Sequence, residues 1–166
     1  MNLKSLFNIK ANKANDRISK EDELEYDKNV DFYYSNLINS IILFALTKNE
    51  LEKLEKHAFD PMFELESEID YAFTPLLLET VFRNHLINES LRFELMAFKK
   101  ATDDIPSEIW HWDYLDKRDV WINVRKKANE LLDKLGVKNR TYNEDFIIVY
   151  DKNGNILEKG QRAGRT

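Results

Sequence analysis

The sequence of 166 residues contains no cysteine, only four glycines and only three prolines. Without cysteine there is no disulfide framework, no thiolate nucleophile and no zinc site with cysteine ligands. Four glycines leave no glycine-rich loop to hold a phosphate, and no Gly-x-Ser-x-Gly nucleophile elbow occurs. These absences exclude several common enzyme classes and fit a protein of the reducing cytoplasm.

Metal and nucleic-acid chemistry also find little support in the sequence. His57, His85 and His111 lie far apart, and none belongs to an HxxxH, HExxH or ExxH pattern that would place two ligands on one helical face. A net charge of −5 argues against binding a nucleic-acid backbone, which requires a concentrated basic surface. We therefore predict no metal, no cofactor and no direct nucleic-acid partner.

The N-terminal residues lack the uninterrupted apolar run of a secretory signal. Residues 30–47 contain one charged residue, Asp31, and reach the lower length limit of a membrane span. Four polar residues interrupt this stretch, namely Ser35, Asn36, Asn39 and Ser40. We expect a buried helix here, no membrane association and a cytoplasmic protein, and the richness in Lys, Asn and Ile suggests a bacterial source.

The hydrophobic content of 43% and aromatic content of 12% predict one packed domain. We expect a mainly α fold, an irregular helical bundle around a long central helix at about 74–100. Thr74 would cap that helix and Pro75 would occupy its first position. Its apolar residues cover more than half of the circumference, so other helices must cover it.

Other elements follow from local signals. We expect a helix at about 31–46, a second helix capped by Asn49 and ended by Asp60-Pro61, and partly helical structure over 62–73. A helix over about 119–135 should end at Gly136, whose backbone can adopt a positive φ. Residues 107–115 could be helix, strand or loop, and we favour a helical or irregular turn.

The two ends of the chain differ from its middle. Residues 1–29 carry a basic block and then an acidic block, which is typical of a mobile or loosely docked arm. Residues 30–159 form the globular domain, which ends in a β-hairpin at about 146–158 with a turn at Gly154. Residues 160–166 are expected to be a disordered tail.

The most distinctive charge feature is acidic, because no Lys or Arg occurs between Lys56 and Arg83. The acidic groups lie beside Met62, Phe63, Tyr71 and Phe73. Acidic groups that steer and aromatic groups that anchor are typical of a surface that captures a basic protein. The alternative is an acidic helix face that only keeps the protein soluble. The predicted partner-binding residues are Asp60, Met62, Phe63, Glu64, Glu66, Glu68, Asp70 and Tyr71. This pattern suggests an immunity protein or antitoxin that neutralises a basic toxin or nuclease.

A second hypothesis is a helical enzyme or small-ligand-binding protein. On one helix, His85, Glu89 and Arg92 would share a face, where a carboxylate could orient the imidazole and the guanidinium could bind an anion. The same three residues could instead satisfy one another within a helix interface. The aromatic residues of segment 110–114 could line a pocket or seal a helix junction. Because no complete catalytic motif is present, we favour a binding protein over an enzyme.

Overall fold

The computed structural model describes residues 19–54 and 60–163. The α-helices of these residues are α1 (Lys20–Lys28), α2 (Val30–Ala45), α3 (Lys48–Glu52), α4 (Pro61–Ala72), α5 (Pro75–Arg83), α6 (Arg92–Asp103) and α7 (Asp119–Lys134). Short 3-10 helices cover Glu89–Leu91, Ser107–Ile109 and Trp112–Tyr114, and two antiparallel strands are β1 (Ile148–Tyr150) and β2 (Ile156–Lys159). The prediction of a mainly α fold with a small C-terminal hairpin is confirmed.

The helix at the centre of the fold is α2, which was predicted at about 31–46. Every residue from Leu37 to Leu46 is buried. The most extensive helix contacts of α2 are with α4 and α7, and α5 adds a third. Asn39 is buried within this helix, and its amide exchanges two 2.8 Å hydrogen bonds with the backbone of Asn143. None of the described helices is long and apolar enough to cross a membrane.

The prediction of one continuous helix over 74–100 is wrong, because the chain turns after Arg83. His85 has a φ of 58°, and the N–H groups of His85 and Leu86 donate to the carbonyls of Phe82 and Val81. This is the hydrogen-bond pattern of a Schellman helix end, with histidine in the left-handed position that glycine usually occupies. Without a glycine to mark it, the helix end was not visible in the sequence.

A new helical segment then begins at Asn88, whose side chain accepts a 2.9 Å hydrogen bond from the N–H of Ser90. Asn88 is therefore a helix cap rather than a residue of a helix interior. At the start of α5, Pro75 takes the first position as predicted, but the Thr74 hydroxyl donates to the carbonyl of Tyr71 instead of capping α5. The apolar residues of 74–100 thus belong to two helices.

Two other helix boundaries test the capping predictions. Helix α3 begins with a capping box, in which Thr47 and Glu50 bind each other's backbone N–H groups, so the predicted cap at Asn49 is wrong. Residues 55–59 of the predicted second helix lie outside the described residues. Helix α7 ends as predicted at Gly136, which has a φ of 73°, and the N–H of Val137 donates to the carbonyl of Leu132.

The segment 107–115 forms two short 3-10 helices, so the preference for a helical turn is confirmed. Trp110 lies between them and packs edge-on against Trp121, with ring centroids 4.9 Å apart. Phe44 of α2 contacts both tryptophan rings and Phe98. The tryptophans therefore join this segment to α2 and α7.

The ends of the described chain both contact the helical body. Helix α1 has no buried residue, and it contacts α5 through an ion pair between Asp27 and Arg83. Of the expected tail, Ala163 is buried and Arg162 pairs with Asp31 of α2. Residues 1–18 of the expected arm and residues 164–166 lie outside the described residues.

Candidate partner-binding surface

Helix α4 carries all of the predicted partner-binding residues except its cap, Asp60. The cap carboxylate accepts a 3.0 Å hydrogen bond from the N–H of Met62, and Pro61 occupies the first helical position. The side buried against α2 is formed by Pro61, Leu65, Ile69 and Ala72. At 100° per residue, Phe63, Ser67 and Asp70 lie opposite this buried side.

The outer side of α4 combines one exposed aromatic ring with acidic groups. The Phe63 side chain is 65% exposed, although burying such a ring would contribute about 1.5–3 kcal/mol. Glu66 is exposed nearby, and no ion pair to it occurs within the described parts of the chain. Asp70 differs, because its carboxylate lies 2.9 Å from the ammonium group of Lys99 on α6. We call Phe63, Glu66, Asp70 and the flanking Tyr71 the outer face of α4.

Two other predicted residues lie partly inside the fold. Met62 is half-buried and packs against the core. Glu64 accepts a 3.1 Å hydrogen bond from the Ser67 hydroxyl, and burial raises the pKa of its carboxyl above the usual range. Both residues border the outer face of α4 but do not form its centre.

Glu68 turns its carboxyl group away from the outer face and into the protein. Its Oε1 atom accepts a hydrogen bond from the hydroxyl of Tyr142, in the loop between α7 and β1. Its Oε2 atom is shielded from solvent and has no hydrogen-bond partner among the described residues. Burial raises the pKa of Glu68 to about 7, against the opposing effect of the Tyr142 hydrogen bond.

A cavity of about 330 Å³ lies beside this carboxyl group. Its lining residues are Asn36, Ser67, Glu68, Tyr71, Tyr142 and Ile147. Tyr71 is 44% exposed, so the cavity adjoins the outer face of α4. Three lining residues were not predicted from the sequence, because no local spacing relates Asn36 of α2, or Tyr142 and Ile147 of the segment before β1, to α4.

A second cavity of about 470 Å³ lies between α2 and the C-terminal segment. Its polar lining includes Ser35, Asn39, Asn139 and Asn143, and Leu86 is among its apolar lining residues. The amide of Asn39 is already satisfied by the backbone of Asn143. This cavity therefore offers fewer free polar groups than its lining suggests.

The structure separates the three residues of the enzyme hypothesis. His85 is exposed in the turn after α5, Glu89 lies in the short 3-10 helix, and Arg92 begins α6, so they do not share one helical face. Arg92 forms ion pairs with Glu79 and Glu89, and its guanidinium lies 4.0 Å from the centroid of the Phe82 ring. None of the three lines either cavity. The guanidinium is already neutralised by two carboxylates, which weakens it as an anion site.

In segment 110–114, some side chains pack against the helical body and others are exposed. The Trp121 indole N–H donates a 2.9 Å hydrogen bond to the carbonyl of Ile109, which fixes the segment on α7. The side chains of His111 and Asp113 are exposed, with Nδ1 of His111 3.5 Å from the Asp113 carboxylate. Within the described parts of the chain, no group of three or more His, Asp and Glu side chains could hold a metal ion.

No protein-family model matches this chain, and neither a curated protein nor a solved structure shows significant similarity to it. The geometry and charge of the surface itself are therefore the observations that bear on function.

Proposed function

We propose that this protein binds a basic protein partner through the outer face of α4. The observation that carries the proposal is the exposed ring of Phe63 beside the exposed carboxylate of Glu66, which forms no ion pair with any described residue. An exposed ring surrounded by charge has the composition of an interface, in which an aromatic anchor is desolvated and the charges select the partner.

The charge of this helix supports a partner of opposite sign. Residues 60–72 contain five acidic residues and no Lys or Arg. Of the cations in the described residues, Lys99 alone forms an ion pair with one of these five, through Asp70. Unpaired carboxylates attract a basic surface over roughly a Debye length, about 8 Å at physiological salt. They therefore favour fast association and weaker binding at high salt.

The best-fitting class is an immunity protein or antitoxin that blocks a basic toxin or nuclease. Such an inhibitor needs a preformed surface and no catalytic group, and α4 presents its surface on a helix fixed along α2. The proposal places the protein in the cytoplasm, in line with the absence of cysteine. The enzyme hypothesis receives less support, since His85, Glu89 and Arg92 are dispersed and line neither cavity.

The partner can be sought among the products of the neighbouring genes. The purified protein is immobilised and mixed with each product at about 50 mM and about 500 mM salt, a range over which surface charges become screened. We expect one basic product to be retained at low salt and released in part at high salt. If a product binds with no dependence on salt, or if only acidic products bind, the proposal of an acidic capture surface is wrong.

A further inference from the structure

The cavity lined by Glu68 has features that play no part in the proposed binding at the outer face of α4. Three parts of the fold line it: α2 provides Asn36, α4 provides Ser67, Glu68 and Tyr71, and the segment before β1 provides Tyr142 and Ile147. Its volume of about 330 Å³ is at the lower end of the range for small-ligand sites. It can hold one small group rather than a large cofactor.

The carboxyl group of Glu68, one of the lining residues, is incompletely satisfied. Tyr142 donates to Oε1, while Oε2 is shielded from solvent and accepts no hydrogen bond from the described residues. A buried acceptor without a partner costs about 1–3 kcal/mol, and a buried charge costs more. The free protein therefore favours a proton on Glu68, and a cation in the cavity would favour the ionised carboxylate.

The lining of the cavity indicates which kind of ligand would fit. It contains one carboxyl group, two tyrosine rings and no Lys, Arg or His. Glu64, one turn before Glu68, adds negative potential that disfavours an anion. An ammonium or guanidinium group in the cavity supplies the missing positive charge, and aromatic faces attract such cations.

We propose that this cavity binds a single ammonium or guanidinium group, with the Glu68 carboxylate as its counter-ion and Tyr71 and Tyr142 as its walls. The group can come from a free small amine or from a Lys or Arg side chain of a protein partner. The second source rests on the proposed function, because the cavity adjoins the outer face of α4 through Tyr71. The first source is independent of it.

Ionisation of Glu68 links this binding to pH. The groups around Glu68 are Glu64 of the same helix, Tyr71, Tyr142 from the loop, and the uncharged Asn36 of α2. Because the pKa of Glu68 is about 7 in the free protein, the carboxyl is mostly protonated at pH 6 and mostly ionised at pH 8. A cation binds the ionised form, so we expect an affinity about tenfold lower at pH 6 than at pH 8.

The test is an NMR titration of the full chain with n-butylguanidinium, with the neutral isostere n-butylurea as the control ligand. We expect saturable shifts at residues lining the cavity with the cation and none with the urea, and a tenfold weaker dissociation constant at pH 6. Glu68→Gln should abolish saturation, whereas Glu108→Gln, at an exposed site outside α4 and outside the lining of the cavity, should leave it unchanged. Equal binding of the urea, or equal affinity of wild type and E68Q, would overturn the inference.

The pH arm needs no variant, so it tests the inference even if E68Q fails to fold. The source of the bound cation, a free small amine or a partner side chain, is tested with a short acetylated peptide that carries one arginine. The control is the same peptide carrying citrulline. Tighter binding of the arginine peptide than of n-butylguanidinium supports a partner side chain. If the arginine peptide binds no more tightly than n-butylguanidinium, the result supports a small amine as the ligand. The cavity is then still a cation site, but it is independent of the proposed function.

Discussion

The hydroxyl of Tyr142 donates a hydrogen bond to Oε1 of Glu68, although the two residues are 74 positions apart in the chain. This contact joins the loop before the hairpin to α4, which carries the proposed binding surface. The second carboxyl oxygen is buried without a hydrogen bond from the described residues, and Glu68 also lines a cavity. The charge state of Glu68 therefore affects both the stability of the fold and the chemistry of the cavity.

Glu68→Gln should change how stability depends on pH. The pKa of Glu68 rises from 4.5 to about 7 on folding because the carboxyl group is buried. The folded state thus holds a proton more tightly, and the associated stability is fully present below pH 4.5 and is lost as pH rises through 7. Between pH 5 and pH 8, the unfolding free energy of wild type should fall by about 2 kcal/mol more than that of E68Q.

Urea denaturation at the two pH values measures this difference, with Glu66→Gln as the control on the exposed side of the same helix. E66Q should follow the pH dependence of wild type. A wild-type curve parallel to that of E68Q over this range would show that Glu68 is not protonated on folding.

Asp27→Ala should release α1 from the helical body. The Asp27 carboxylate accepts hydrogen bonds from Arg83, at 2.5 Å to Nη2, and from the Asn84 amide at 2.6 Å, and these bonds lower its pKa. Helix α1 buries no residue, and its remaining contacts include a hydrogen bond from Arg83 to the Glu23 carbonyl and packing of Tyr26 against Tyr33. Amide hydrogen exchange over residues 20–28 should accelerate severalfold, in line with a partly exposed ion pair contributing about 1 kcal/mol or less.

The matched control is Glu25→Ala, which removes only the exposed ion pair with Lys28 within α1. Exchange in α1 should change little in that variant, and exchange in α2 should change little in both. Similar acceleration of α1 in E25A and D27A would contradict docking through Asp27.

Gly136→Ala should destabilise the protein through backbone conformation alone. Gly136 has a φ of +73°, and no atom lies within 4 Å of the position that a Cβ would occupy. The expected loss is about 1–2 kcal/mol in unfolding free energy, the penalty for a residue with a Cβ in the left-handed region. Gly136→Asn should lose less, since asparagine tolerates this region; equal losses would point to another cause.

Phe44→Leu should weaken the junction between α2, α7 and the Trp110 segment. The ring of Phe44 lies within 6.2 Å, centroid to centroid, of the rings of Phe98, Trp110 and Trp121. We expect a loss of about 1–3 kcal/mol and altered tryptophan fluorescence, because a smaller side chain leaves a void among the rings. Phe93→Leu, at a site that is 80% exposed, should stay within about 0.5 kcal/mol of wild type.

The parts of the fold that were predictable from sequence have local signals. Helix α7 has a regular apolar stripe and a glycine at its end, and the hairpin has a glycine in its turn. The end of α5 has a weaker signal, because His85 occupies the left-handed position where a glycine usually marks a helix end. An apolar pattern can continue across such a turn, since both helices bury residues in the same core.

The candidate surface was partly predictable, because part of it also has a local signal in the sequence. A run of acidic residues with Phe63 and Tyr71 is visible in the sequence, but their directions depend on how α4 packs against α2. Glu68 lies at the edge of the buried side, so its carboxyl faces Tyr142 rather than solvent. No sequence spacing indicates a contact between α4 and a loop that follows α7.

The most direct test of the proposed function compares variants of the outer face of α4 with matched controls. Once a basic gene-neighbour product is shown to bind, its dissociation constant is measured by calorimetry for Phe63→Ala, Glu66→Lys, Ile122→Ala and Glu108→Lys. The last two make similar changes at exposed sites on α7 and in the segment after α6. We predict that F63A and E66K each weaken binding at least tenfold, about 1.4 kcal/mol, while I122A and E108K stay within twofold. Equal affinities for all four variants and wild type would contradict partner binding through α4.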